Sequence, residues 1–330
     1  MAEIVVVGEP ALAKAHALLA GGGIAAIPTE TVYGLAADAA NGQAVARIFE
    51  AKGRPRFNPL IAHVADLEMA ARLAVFDPLS QKLAQAFWPG PLTLVLPKRA
   101  QAPIHDLVTA GLNTLALRMP RGFGRELIAS LGKPLAAPSA NSSGRISATT
   151  AQAVERDLGS RIDLIVDGGP TPVGLESTIV KVEDGRLLLL RPGGIAADEL
   201  EAVAGVRLLR LADVVGSGVE APGQLASHYA PRAAMRLNVR AVRAGEALLA
   251  FGPNRAAGAL GASRVENLSA TGNLREAAAN LFEAMQRLDA AGTDIIAVEP
   301  VPLDGLGEAI NDRLARAAAP RHAVVVNEKA

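Results

Sequence analysis

Apolar runs of strand length alternate with amphipathic runs of helix length along most of this chain, and one junction is the dipeptide Asp184-Gly185. Such alternation demands a sheet covered by helices, because each strand must hide its faces and each helix its apolar stripe. The Asp-Gly pair, flanked by the apolar runs 177–183 and 186–190, is the signature of a two-residue hairpin turn. A hairpin makes its strands antiparallel, so the predicted fold is α/β with a mixed sheet. Helices are predicted over 11–20, 43–52, 79–87, 125–131 and 150–157, and further strands over 24–28, 60–64, 92–96, 114–118, 135–137 and 164–166. Val45, Ile48 and Phe49 mark one face of the second helix, which should end at Gly53, a residue type suited to the left-handed position after a helix.

The alternation weakens after Gly205 and returns near residue 233. Between them the chain carries Gly216-Ser217-Gly218, Ala221-Pro222-Gly223 and His228-Tyr229-Ala230-Pro231 without an apolar period. Its aromatic and apolar residues favour an ordered linker. A second α/β unit follows, with strands over 247–251, 265–268 and 294–298 and a helix over 273–290 whose stripe is Leu274, Ala278, Leu281, Met285 and Leu288. A helix over 307–317 and a strand over 323–326 would complete it. The expected organisation is a first domain 1–205, a linker or lid 206–232 and a second domain 233–330.

Composition narrows the chemistry. With 330 residues, half of them hydrophobic, two domains with sizeable cores are within reach. The 33 basic residues balance 33 acidic ones, so nothing draws the chain non-specifically to nucleic acid or to an anionic membrane. With no cysteine, disulfides, thiolate catalysis and cysteine-bound zinc are excluded. His16, His63, His105, His228 and His322 are scattered, and no pair has metal-ligand spacing, so no metal site is expected from side chains alone. The N-terminus lacks the basic flank and apolar stretch of a secretory signal, and the apolar run 15–27 is short and broken by Gly21, Gly22 and Gly23. A cytoplasmic protein is expected.

The polar residues gather where strands end, and α/β sheets bind ligands there. Lys52-Gly53-Arg54-Pro55-Arg56-Phe57-Asn58-Pro59 holds three cations within five residues. In an extended segment Lys52 and Arg54 would point to one side; a helix-capping lysine beside solvated arginines is equally open on this segment alone. Pro28-Thr29-Glu30-Thr31-Val32-Tyr33-Gly34-Leu35 offers hydroxyls, a carboxylate and an aromatic ring after a strand. His63 and Arg118 each close a strand, and an arginine there can clamp a carboxylate with its bidentate fork. Pro138-Ser139-Ala140-Asn141-Ser142-Ser143-Gly144 leads through Ser147 to a helix, a junction suited to an anion. Gly174-Leu175-Glu176-Ser177-Thr178 and Arg191-Pro192-Gly193-Gly194 add two more such loops. There is no Walker A motif and no nucleophile elbow. Cations and amides without an activated nucleophile fit catalysis on a nucleotide by positioning and electrostatic stabilisation.

Taken in order, Pro28-Thr29-Glu30-Thr31-Val32-Tyr33-Gly34-Leu35, Lys52-x-Arg54, Trp88-Pro89-Gly90-Pro91-Leu92-Thr93, Pro138-Ser139-Ala140-Asn141 and Ser177-Thr178-Ile179-Val180 closely resemble the YrdC/Sua5 family of L-threonylcarbamoyladenylate synthases. His228-Tyr229-Ala230-Pro231 and the second α/β unit resemble its long form, although the linker reads Ala221-Pro222-Gly223-Gln224-Leu225 where many members have Ser-Pro-Gly-Met. The resemblance implies a YrdC-like twisted mixed sheet with flanking helices and a smaller Rossmann-like C-terminal domain. It implies a nucleotidyltransferase that makes threonylcarbamoyl-AMP and pyrophosphate from L-threonine, bicarbonate or CO2 and ATP, helped by Mg2+. The product would feed N6-threonylcarbamoylation of adenosine 37 of tRNA, completed by a separate transferase, with no stable tRNA binding here. Catalytic roles carry over to Lys52, Arg54, Ser139 and Asn141. ATP contacts carry over to Arg54, Asn58, Thr114, Ser139, Ser147, Arg191 and Tyr229, and threonine contacts to Thr31, His63, Arg118, Ala137 and Ser177. Two alternatives are a carbamoyl-adenylate enzyme like the module of hydrogenase-maturation proteins and a non-catalytic RNA-binding or ribosome-associated protein. The lack of cysteine for the former's zinc fingers, and the balanced charge with only ten aromatics (one Trp, two Tyr, seven Phe), count against them.

Overall fold

The computed structural model describes residues 1–210, 222 and 227–320. The first domain contains eleven strands: β1 (Glu3–Val6), β2 (Ala25–Ile27), β3 (Gly34–Asp38), β4 (Ile61–His63), β5 (Leu92–Pro97), β6 (Thr114–Arg118), β7 (Leu135–Ala136), β8 (Leu164–Asp167), β9 (Thr178–Glu183), β10 (Arg186–Arg191) and β11 (Leu208–Arg210). They form one sheet in the order β1-β8-β2-β3-β7-β4-β6-β5-β9-β10-β11. The sheet is mixed. The Asp184-Gly185 turn joins antiparallel β9 and β10, while β1–β8, β4–β6 and β5–β9 pair in parallel. Leu208–Arg210, counted with the linker in the sequence, pair in parallel with β10, so the sheet continues past Gly205.

Eight helices belong to this domain: α1 (Glu9–Ala20), α2 (Gly42–Lys52), α3 (Leu67–Leu73), α4 (Pro78–Phe87), α5 (Asp106–Thr109), α6 (Phe123–Leu131), α7 (Ala151–Leu158) and α8 (Ala197–Ala204). Their starts follow capping chemistry. Asn41 accepts from the backbone of Gln43 and Ala44 at the head of α2, and Asp77 does the same for Leu79 and Ser80 ahead of Pro78 in α4. Helix α2 stops where expected, at Gly53 with φ 59°.

The second domain has strands β12 (Ala234–Arg236), β13 (Ala247–Ala250), β14 (Val265–Asn267) and β15 (Ile295–Val298) and helices α9 (Leu274–Ala290) and α10 (Gly307–Ala318). Its sheet, in the order β12-β15-β13-β14, is parallel throughout. The strand predicted at 323–326 lies outside the described residues. No described helix is long and apolar enough to cross a membrane.

The two domains share apolar packing. Val32, Ile146 and Leu175 of the first domain are buried in the same cluster as Leu281, Phe282, Ile310 and Leu314 of the second. Gly174 sits at φ 72°, and a Cβ there would lie 2.5 Å from Ala278 O and from Ala279 Cα of α9. Only glycine lets helix and loop approach so closely. The loop thus pinned carries Glu176 and Ser177.

Candidate active site

One cavity is lined by residues at the ends of β4, β6 and β10 and, from the linker, by Pro222, His228 and Tyr229. Among the described residues, Lys52, Arg54, Arg118 and Arg191 line it with a single carboxylate, Glu176, and with Thr31, His63, Ala137, Ser139, Asn141, Ser177 and Tyr229. The sequence does not set Lys52 and Arg54 side by side as an extended pair would. Lys52 is the last residue of α2, Gly53 takes the left-handed conformation, and the reversed chain then delivers Arg54 to the same cavity.

Lys52 is 3% exposed. Its Nζ donates to the carbonyl of Ser139 at 2.5 Å and to that of Asn141, while Ser143 N donates to Lys52 O at 2.8 Å. These bonds stitch the Pro138–Gly144 loop to the end of α2, joining two of the sequence motifs. Burial, reinforced by neighbouring Arg54, pushes the Lys52 ammonium well below its usual pKa. Arg54 donates to the carbonyls of Pro59 at 2.8 Å and Asn58 at 3.3 Å, and burial, helped by Arg191, lowers its pKa to about 10. Arg191 closes β10 and donates to Ser177 O at 2.8 Å and to Pro222 O at 3.3 Å. Gly193 makes that approach possible, since a Cβ there would meet Ser177 C and Thr178 N at 2.5 Å.

Parallel pairing of β4 and β6 puts His63 directly opposite Arg118. Paired residues of neighbouring strands point to one face, so imidazole and guanidinium lie together. Burial, and then Arg118, lowers the His63 pKa to about 3, which leaves a neutral ring whose Nδ1 has no partner among the described residues. Arg118 donates to Glu30 Oε1 at 2.7 Å, and Glu30 Oε2 accepts from Arg121 N at 3.0 Å. Thr31 Oγ1 lies 2.9 Å from Thr29 Oγ1, and Ser177 Oγ lies 2.7 Å from Thr93 Oγ1.

Tyr229 is wholly buried, at φ 61°, with its ring 5.5 Å from that of Phe282 and its hydroxyl without a partner among the described residues. Ala230 N donates to Gly144 O at 2.9 Å, which fastens the end of the linker onto the Ser139 loop. His228 beside it is also neutral, because burial lowers its pKa to about 3.

Three expected contacts stand back from this cavity. Asn58 is buried and accepts from Arg54 through its carbonyl, with Oδ1 unpartnered among the described residues, Ser147 Oγ donates to Glu176 Oε1 behind the wall, and Thr114 lies at the opposite end of β6 from Arg118. Three charged residues brace the site through ion pairs that the sequence did not predict: Glu30, Glu176 and Arg313. The first two flank expected contacts, Thr31 and Ser177, and adjacency was the available signal. Arg313 sits with Ile310, Leu314 and Ala317 on the buried face of α10, a spacing that marks it as inward-facing but names no partner.

No group of three or more potential metal ligands occurs among the described residues. Glu176, the only carboxylate among the described residues that line the cavity, already binds Ser147 and Arg313 through its two oxygens. The donor set does not suit a resident Mg2+, which takes carboxylates and several waters.

A strand-end cavity with several cations, one neutralised carboxylate and no activated nucleophile defines an α/β protein that binds and positions an anionic ligand. Residues 17–193 match the family model of the Sua5, YciO and YrdC proteins, described as telomere recombination, and residues 195–319 match the model of the C-terminal domain of threonylcarbamoyl-AMP synthase. The chain is 41% identical over 327 residues to the threonylcarbamoyl-AMP synthase of Bacillus subtilis, covering 95% of this chain and 94% of that one. It is 43% identical over 318 residues to that of Pyrococcus abyssi, covering 91% and 92%. The crystal structure of P. abyssi Sua5 complexed with L-threonine superposes with a TM-score of 0.86 at 38% identity, covering 96% of this chain and 97% of that one. The chain belongs to the Sua5/YrdC family, in its long, two-domain form. The fold and family expected from the motifs are those found.

Proposed function

We propose that the chain is a threonylcarbamoyl-AMP synthase, converting L-threonine, bicarbonate or CO2 and ATP to threonylcarbamoyl-AMP and pyrophosphate. The observation that carries this reading is that one cavity joins a carboxylate-binding fork, Arg118 beside neutral His63, to three further buried cations, Lys52, Arg54 and Arg191. An amino acid and a polyphosphate are the ligands that such a site accommodates together.

In this reading Arg118 pairs with the threonine carboxylate through two parallel hydrogen bonds, while Thr31, His63, Ala137 and Ser177 surround the rest. The threonine nitrogen adds to the carbon of CO2 and gives up a proton to solvent, forming a carbamate; starting from bicarbonate, the same step releases water. A carbamate oxygen attacks the α-phosphorus, and the bond to the bridging oxygen breaks as pyrophosphate leaves with its electron pair. Lys52 and Arg54, with Ser139 and Asn141, stabilise charge on the phosphates as the bond breaks. Arg191 and Tyr229, which line the cavity, complete the proposed nucleotide contacts; Asn58, Thr114 and Ser147, set back from it, would have to be reached by the nucleotide beyond that lining. With a pKa near 3, His63 serves as a neutral hydrogen-bonding partner and not as the base that takes the amine proton. Mg2+ enters with ATP as part of the substrate. The segment around Tyr229 covers the site and keeps water from the labile mixed anhydride.

The product is an activated carbamoyl donor, and its proposed use is N6-threonylcarbamoylation of adenosine 37 in tRNA by a separate transferase. A cytoplasmic setting goes with this reading. The test is pyrophosphate release with ATP, threonine and bicarbonate, leaving out each in turn. Release should require all three; release that ignores threonine overturns the proposal.

A further inference from the structure

Arg313 lies in the second domain, yet its guanidinium reaches the wall of the first domain's cavity. It is the largest of the fully buried side chains, at 0% exposure. Its Nε donates to Glu176 Oε2 at 2.9 Å, its Nη1 donates to Asp312 Oδ2 at 2.6 Å, and Nη2 has no partner among the described residues. The guanidinium carbon stands 5.0 Å from the centre of the Tyr229 ring. Glu176 in turn holds Ser147 through its other oxygen and lines the cavity.

Adhesion between the domains does not explain this arrangement. Leu281, Phe282, Ile310 and Leu314 already pack against Val32, Ile146 and Leu175 in a common apolar cluster. A buried ion pair is a poor substitute for such packing, because desolvating both charges offsets much of their attraction. What the ion pair does supply is a fixed charge state and a fixed geometry. Burial by itself would push the Glu176 carboxyl up, but Arg313 and Arg191 together hold it below its usual range. Without Arg313, the wall of a polyanion site would carry a poorly compensated carboxylate next to the nucleotide.

We propose that Arg313 is a positioning residue for nucleotide binding: reaching in from α10, it neutralises Glu176, holds it against Ser147 and supports the Tyr229 ring. This rests on the nucleotide reading of the cavity given above. The second domain thereby supplies an electrostatic component of the site.

The experiment compares wild type, Arg313→Met, Arg313→Lys and the double variant Arg313→Met with Glu176→Gln, all as full-length protein. ATP affinity is measured by calorimetry, and KM for ATP and for threonine, kcat and Tm are measured alongside. Arg313→Met should weaken ATP binding at least tenfold while changing KM for threonine less than threefold. Removing the unpaired charge in the double variant should restore ATP affinity to within about threefold of wild type, and Arg313→Lys should lie between. An unchanged ATP affinity in Arg313→Met overturns the inference. So does a double variant no better than the single one, or an equal loss for both substrates that follows Tm, since either is what a merely structural residue would give. If wild-type protein binds ATP without releasing pyrophosphate, the synthase reading fails while the calorimetric comparison still decides the role of Arg313.

Discussion

Arg118 Nη2 lies 2.7 Å from Glu30 Oε1, and the two side chains are only 5% and 8% exposed. The pair joins the loop after β2 to the end of β6, and the second oxygen of Glu30 is held by Arg121 N. The guanidinium plane is therefore fixed before any carboxylate arrives. Arg118→Lys keeps the charge but loses the fork, and should raise KM for threonine at least tenfold with little effect on KM for ATP. Glu30→Gln should do the same more weakly and lower Tm, because removing one partner of a buried pair costs about 3–5 kcal/mol. Steady-state kinetics with each substrate varied checks both. Unchanged threonine kinetics in Arg118→Lys would rule the clamp out.

Lys52 and Arg54 make their hydrogen bonds to backbone carbonyls, with no carboxylate among these partners. Removing either leaves buried carbonyls without a donor and should lower Tm, but strands no buried carboxylate among these partners, so the loss of activity should exceed what the loss of stability explains. Lys52→Ala and Arg54→Ala are each expected to lower kcat by about 10²–10³, the scale for losing one preorganised charge-stabilising donor. Pyrophosphate release measures the rate, and circular dichroism confirms the fold. Near-normal turnover in both variants would reduce the loop to a structural one.

Tyr229 separates the contribution of its ring from that of its hydroxyl. The ring stacks on Phe282 and faces Arg313, whereas Oη is buried without a partner among the described residues. Tyr229→Ala should reduce ATP affinity about tenfold and lower Tm. Tyr229→Phe removes an unsatisfied hydroxyl and should leave Tm equal or higher. If nucleotide is the missing partner of Oη, ATP affinity should still fall a few-fold in Tyr229→Phe. Calorimetry and thermal melts distinguish these outcomes.

The protein should lose stability in mild acid. Burial lowers the pKa of His63 and His228 to about 3 each, with Arg118 adding to the effect on the first and Arg54, Lys52 and Arg191 on the second, against the raising influence of Glu176. Unfolding returns them to about 6.5, so between pH 3 and 6.5 the unfolded chain binds more protons than the folded one. Each histidine then removes about 1.4 kcal/mol of stability per pH unit as pH falls through that window. Denaturant unfolding at pH 7, 6 and 5 should show this slope, and His63→Gln should remove about one proton of it. A slope unchanged in His63→Gln would mean that the imidazole is not held neutral.

Much of the fold was legible because periodicity is a local property. The strand at 114–118 and the helix ends at Lys52 and Ala290 fall where apolar spacing and capping residues put them. Several of the elements not predicted, though not β1 with its Ile4-Val5-Val6 or the eight-residue α8, are short or poor in strand-forming residues. No strand is predicted over Gly34–Asp38, whose first two residues end the polar loop from Pro28, because Gly-Leu-Ala-Ala-Asp has no β-branched residue, yet all five residues are buried between β2 and β7. Leu208–Arg210 and Ala234–Arg236 are three residues each, too few to show a period.

The sequence by itself determined the architecture, the family and most of the residues that meet in the cavity, because strand ends and turn residues are written in neighbouring positions. Tertiary structure decided how those residues are held. Gly53 turns Arg54 back beside Lys52, Glu30 fixes Arg118 across 88 residues of chain, and Arg313 meets Glu176 across 137. A helical pattern shows that Arg313 faces inward, but not what it faces. In a desolvated interior a charge must find its counter-charge, and which one it finds depends on where distant segments cross.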